Sequence, residues 1–219
     1  MLLQGVVFDP SAAGSPDGST VSANFGRANE VIFSELHGKY FEQCYRGNVF
    51  YASTTTAGVV IPIASTLTPV YSLWNPTGSG KLMVPIVTLI GWTATTAALG
   101  SFVWTLTTVA GSAPGTGLPF TAFGTGTAIN AYAGSTKVSL MRTATGGTTT
   151  LTAAATFYRE TGLQITATTA ASSAAPGWTW RDDWDGTSVV SPGNAIHLMG
   201  TTAIAVTATI TTVYAEIPL

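Results

Sequence analysis

The sequence predicts an all-β protein: a jelly-roll β-sandwich preceded by an extended N-terminal arm. Three observations carry that expectation. Charged residues make up only 8% of the 219, and Thr, Ser, Gly and Ala stand in their place. Soluble proteins usually carry about 25% charge, and β-branched residues such as Thr and Val suit a pleated surface. Apolar and polar residues alternate with a period of two in several runs, and Gly, Pro, Asn and Asp punctuate the chain between them. Disorder is excluded by the 46% hydrophobic content and the net charge of only −2.

Residues 1–26 are rich in Gly, Ser, Ala, Asp and Pro and read as an arm or linker. Residues 27–50 hold a third of the charged residues and several aromatics. A strand and turn around His37-Gly38, then a helical turn through Phe41–Arg46, fit this segment. Residues 1–48 are therefore expected to form the arm, and 49–219 the sandwich. Within the body, candidate strands cover 58–64, 68–74, 82–92, 101–107, 137–142, 150–159, 163–167, 189–199 and 204–217. Phe102, Trp104 and Leu106 alternate with Ser101, Thr105 and Thr107, the pattern of a strand with one buried face. Leu82, Val84, Ile86 and Ile90 share one face of the next candidate, with Met83, Val87 and Leu89 on the other, so that strand is expected to be covered on both sides. Near the C-terminus, parity moves from Ile204, Val206, Ala208 and Ile210 to Val213, Ala215 and Ile217, which predicts a bulge at Thr211-Thr212.

Composition also narrows function. Eight basic residues, scattered along the chain, cannot neutralise a phosphate backbone, so nucleic acid is not expected as a partner. Cys44 is the single cysteine, which excludes an intrachain disulfide. The first residues lack the basic and long apolar regions of a secretory leader, and the apolar run 82–92 is too short for a bilayer. A protein free of membrane, made in a cytoplasm, is the expectation. Sparse surface charge further suggests cover by neighbouring subunits.

Several motifs invite chemistry. Gly78-Ser79-Gly80-Lys81 resembles part of a phosphate loop, but Asn75 stands at its first glycine and Leu82 at its hydroxyl position. A β-rich run with Pro85 follows, instead of the helix that would hold a phosphate, so the segment is read as a turn. Asp182, Asp183 and Asp185 lie within four positions and could offer oxygen ligands to an ion. The closing Glu and sixth-position Gly of a calcium loop are missing, and an Asp-Gly turn with solvated neighbours is the plainer reading. His37 and His197 are the only histidines, no G-x-S-x-G elbow occurs, and no carboxylate pair stands out. An enzyme is not expected, nor a cofactor or metal. Trp178, Trp180 and Trp184 could stack on sugar rings, though core or interface packing is the commoner fate of such rings.

Four pieces occur in order: the Tyr-rich segment ending Arg46-Gly47-Asn48, the L-x-N-P-x-G-S-G-K turn at 73–81, the Asp185-Gly186…Pro192-Gly193 pair, and the Glu216-Ile217-Pro218 tail. In these the chain resembles virion structural proteins of tailed bacteriophages, some of them capsid cement or decoration proteins with a jelly-roll body. The resemblance spans about 27–219, with no motif in 110–175. It implies a non-enzymatic cement protein on the capsid surface, assembled in the host bacterial cytoplasm. It also implies a homo-oligomer, a trimer, bound to the major capsid protein. Arg27, Glu35, Lys39, Glu42 and Arg46 would then set register through rim ion pairs, with Phe33, Tyr40, Phe41 and Tyr45 as anchors. Met83, Val87 and Leu89 would meet neighbouring subunits. The alternative is a tail, fibre or head-exposed module that binds host glycans through Trp178, Trp180 and Trp184.

Overall fold

The computed structural model describes residues 39–66, 68–92, 100–108, 115–117, 128–145, 149–151, 155–165, 179–202 and 206–219. The chain divides into two units, Met1–Phe41 and Glu42–Leu219. In the first, the described residues are Lys39 to Phe41, where the Lys39 ammonium lies 5.3 Å from the Tyr40 ring centroid. No helix among the described residues is long and apolar enough to cross a membrane.

A short helix α1 (Phe41–Tyr45) ends at Gly47, whose amide donates to the Cys44 carbonyl at 2.9 Å. Gly47 sits at φ +68°, and a Cβ there would meet Ser135 Oγ at 3.0 Å and Lys137 Cδ at 3.2 Å. The left-handed backbone and the crowding both demand glycine. The Gly47→Ala variant is expected to lose about 1–2 kcal/mol of stability, measurable by thermal denaturation. The Arg46–Asn48 turn is tied to the segment 130–137. Lys137 Nζ donates to the Arg46 carbonyl and to Asn48 Oδ1, each at 2.9 Å, and Asn130 Nδ2 donates to the Gly47 carbonyl at 2.9 Å.

The strands follow in chain order: β1 (Val49–Ser53), β2 (Val59–Val60), β3 (Tyr71–Asn75), β4 (Lys81–Trp92), β5 (Gly100–Thr108), β6 (Gly115–Gly117) and β7 (Ala128–Asn130). Next come β8 (Arg142–Thr145), β9 (Thr149–Leu151), β10 (Thr156–Ile165), β11 (Thr179–Asp183), β12 (Asn194–Gly200) and β13 (Thr207–Pro218). One sheet has the order β11-β4-β13-β1-β7, with β2 also on β13; the other runs β10-β5-β12-β3-β8; β6 and β9 pair separately. Among the described residues all the pairings between strands are antiparallel, and two antiparallel sheets make this a β-sandwich. Four of the pairings are nested: β1 with β13, β3 with β12, β4 with β11, and β5 with β10.

The core lies between the sheets. Phe102 and Trp104 of β5, Ile196 and Leu198 of β12, and Tyr71 and Leu73 of β3 meet Phe50, Met83, Ile90, Ile210 and Tyr214 of the other sheet. The predicted alternation in β5 holds for Phe102 and Trp104, but Thr105 and Thr107 are buried as well. Both faces of β5 and β12 are therefore covered, whereas on β4 Leu82, Val84, Val87 and Leu89 are only half-buried. The strands covered on both faces within one chain lie in the other sheet, and the parity of β4 also differs from the one predicted.

Parity in β4 explains part of the discrepancy. The register runs Val213 opposite Val87 and then Tyr214 opposite Pro85, which leaves Ile86 as an extra residue. The bulge is thus in β4, and β13 keeps Ala208, Ile210, Thr212, Tyr214 and Glu216 buried throughout. A bulge on one strand shifts its partner's register without changing the partner's own alternation, so it could not be assigned from β13 alone. The predicted strand 137–142 is also displaced: 131–141 is irregular and pairing begins at Arg142. Predicted segments 150–159 and 163–167 fall in β9 and in a single longer β10. The turn reading of Asn75–Lys81 stands. Asn75 Nδ2 donates to the carbonyls of Lys81 and Val190, both at 2.8 Å, and its Oδ1 accepts from Ser79 Oγ at 2.6 Å. Gly78 and Gly80 take φ of +81° and +66°, as a tight reversal requires.

Candidate interaction surface

The outer face of the β11-β4-β13-β1-β7 sheet is built from residues that alternate with the core. Cross-strand register aligns Asp183, Val87, Val213, Tyr51 and Ile129 in one row, and Arg181, Leu89, Thr211 and Ser53 in the next. Val84 and Ala215 lie opposite each other, as do Leu82 and Ile217, and Val49 faces Ala215 from β1. Its apolar side chains are Leu82, Val84, Val87, Leu89, Val213 and Ile217, all half-buried, with Tyr51 and Ile129; Val49 and Ala215 are buried, and Ser53 and Thr211 interrupt the rows. Tyr51 and Ile129 are its most exposed members, at 41% and 65%. It is bordered along β11 by an ion pair in which Arg181 Nε donates to Asp183 Oδ1 at 2.8 Å and Oδ2 at 3.0 Å.

The structure separates the predicted contact residues. Arg27, Phe33 and Glu35 lie outside the described residues, as does Trp178. Lys39, Phe41 and Arg46 are exposed, and Tyr40 is half-buried. Glu42 lies in α1. Tyr45 is exposed and stacks on Tyr132 with centroids 6.0 Å apart. Val87 and Leu89 do lie on the outer face. Met83 does not: it is sealed in the core, because the bulge at Ile86 puts it on the opposite side of β4 from Val87. Trp184 is likewise fully buried and unable to stack on a sugar. Trp180, on edge strand β11, is 37% exposed.

Within the acidic cluster, Asp182 is a structural lock. Asp182 is buried, with Oδ1 2.8 Å from Arg159 Nη2 and Oδ2 accepting from Trp104 Nε1 at 3.0 Å. Arg159 comes from β10 and Trp104 from β5, both in the other sheet, so this carboxylate ties the two sheets together at the β10/β11 edge. The guanidinium also lies 4.3 Å from the Trp184 ring centroid, and Trp184 meets Trp104 edge to face with centroids 5.1 Å apart. Burial pushes the Asp182 carboxyl above the usual carboxylate range; Arg159 and the Trp104 indole pull it back, and Asp183 adds to the rise. Trp184 is carried inward by the turn that follows β11. Its amide and that of Asp185 both donate to the carbonyl of the bulged residue Ile86, at 2.9 and 3.0 Å, and Asp185 and Gly186 take positive φ. Among the described residues no three His, Cys, Asp or Glu side chains come together as a metal site would need.

Two more buried polar groups organise the interior. His197 is fully buried on β12, with Nδ1 2.7 Å from Ser72 Oγ and Nε2 3.1 Å from Thr107 Oγ1. Burial lowers its pKa to about 3, which keeps it neutral. A neutral, solvent-free histidine held between two hydroxyls is a strand-to-strand tie, although its serine neighbour resembles half a catalytic dyad. Glu216, also buried, accepts the amides of Leu140 and Met141 at 2.8 and 3.3 Å, and burial again raises its carboxyl. Sequence reasoning missed Asp182, Arg159 and Glu216 as structural residues. Only the inward parity of Asp182 and Glu216 in their strands could have signalled it. No protein-family model, no curated protein and no solved structure matches the chain.

Proposed function

We propose that the chain is a non-enzymatic structural protein of a bacteriophage particle, a capsid cement or decoration protein that docks as a homo-oligomer between major capsid subunits. The body is read as a jelly roll, an architecture used by viral capsid domains among others. Its support is the nested pairing of β1/β13, β3/β12, β4/β11 and β5/β10, which is one long hairpin wound across two sheets. The observation that carries the docking role is the apolar outer face around Val87, Leu89, Val213, Tyr51 and Ile129, in a chain with only 8% charged residues. Such a face works by shape and desolvation, and repetition on a symmetric shell multiplies modest contacts. A trimer on the capsid surface remains the reading of the oligomer. The glycan-binding alternative has lost Trp184 to the core and keeps only Trp180 among the described rings.

The test is co-sedimentation of the purified protein with phage capsids that lack it. Binding is expected for the native chain. Leu89→Asp with Val87→Asp should leave the fold intact, because both side chains point outward, and weaken capsid binding at least ~10-fold. Native-level binding by that variant, or no binding by the native protein, would overturn the reading.

A further inference from the structure

We propose that β11 is a homotypic docking edge: two copies pair β11 with β11 antiparallel about a two-fold axis at Asp182. Arg181 of each copy then stands opposite the partner's Asp183.

Three observations lead there. First, β11 ends its sheet, and among the described residues no strand flanks its other side. The Trp184 amide turns toward β4, where it donates to Ile86. Alternation along a strand then turns the backbone groups of Asp183, Arg181 and Thr179 to the open side, ready for a further strand. Second, the exposed charges are self-complementary. Arg181 and Asp183 are 65% and 57% exposed, on one face and two residues apart. An antiparallel pairing centred on Asp182 brings unlike charges together twice, and its hydrogen-bonded positions are the open-side residues Arg181 and Asp183. Third, the charge of the residue on the axis is compensated within each copy. Asp182 points inward and is already matched by Arg159 and Trp104 within its own copy.

A second copy is the occupant that these features select. Charged side chains, especially Lys, commonly protect an edge from pairing, whereas the exposed charges here are one cation and one anion in a self-complementary arrangement. The pairing also joins the two outer faces into one continuous sheet, in which the row through Val87 and Asp183 of one copy runs on into Arg181 and Leu89 of the other. The contact is two-fold and independent of the symmetry on a capsid, and it does not depend on the protein residing in a virion.

Charge reversal tests it without any capsid present. Sedimentation velocity over a concentration series is expected to show a reversible two-fold species for the native chain, weakened by added salt. Arg181→Asp alone and Asp183→Arg alone should each raise its dissociation constant at least ~10-fold, because like charges then face each other. The double variant R181D/D183R should restore it. Equal thermal melting midpoints for all four proteins, taken at a concentration low enough that each is monomeric, establish that folding is unaffected. A native chain monomeric at every concentration, or single reversals that leave association unchanged, or a double variant no better than the singles, would overturn the proposal.

Discussion

Asp182→Ala is expected to lower the free energy of unfolding by about 3–5 kcal/mol, the cost of breaking a buried ion pair from one side. The substitution leaves the Arg159 guanidinium lodged against Trp184 with no counter-charge, and it leaves the Trp104 indole N–H without its acceptor. Arg159 has little recourse, since its Nη1 is buried with no hydrogen-bond partner among the described residues. Urea unfolding should show the midpoint falling while the slope is retained. Asp182→Asn keeps an oxygen for Trp104 and is expected to cost less than alanine. Replacing both members, with Asp182→Leu and Arg159→Met, should recover much of the loss, because the expense lies in an unmatched charge and not in the absence of a pair. An alanine variant within about 1 kcal/mol of the native protein would show that the pair does not hold the sheets together.

Acid should unfold the protein through His197. Its folded pKa is about 3, while the unfolded side chain titrates near its ordinary 6.5. Between those values the unfolded state binds the extra proton. The contribution is therefore complete above pH 6.5 and is lost as pH falls toward 3. Its full extent is about 5 kcal/mol, at about 1.4 kcal/mol per pH unit within the window. Asp182 and Glu216 act with the opposite sign. Their carboxyls are raised by burial, so protonation in acid favours the folded state. The two effects are separated by His197→Gln, which can still bond to Ser72 and Thr107 but carries no titrating group. The difference in unfolding free energy between native and variant proteins should change steadily from pH 6.5 to pH 4. Parallel curves across that range would rule out His197 as the acid trigger.

Local pattern carried a good part of the architecture. The alternation of Phe102 and Trp104 placed β5 correctly, and the turn residues of Asn75–Lys81 identified a reversal where a phosphate loop was the tempting alternative. The shared outward face of Val87 and Leu89 was also legible from their spacing of two. Other features were hidden for definite reasons. A one-residue bulge at Ile86 inverts the parity of half a strand, which sent Met83 into the core and moved the apparent irregularity onto β13. Asp182 looked like a solvated turn residue because its counter-charge, Arg159, is 23 positions away, and Trp104 is 78 positions away. Trp184 looked free to meet a ligand because its descent into the core depends on hydrogen bonds from its turn to the bulge carbonyl.

By itself, then, the sequence determined that this chain is a β protein: poor in ions, punctuated by tight turns, and apolar on more faces than one sheet can bury. Those are properties of neighbours along the chain, and period, propensity and turn chemistry act at that range. Tertiary structure decided the nested order of the strands, which apolar face is sealed and which stands open, and which carboxylate is locked between sheets. These depend on pairings across distant positions, where one shifted residue turns a side chain from solvent to core.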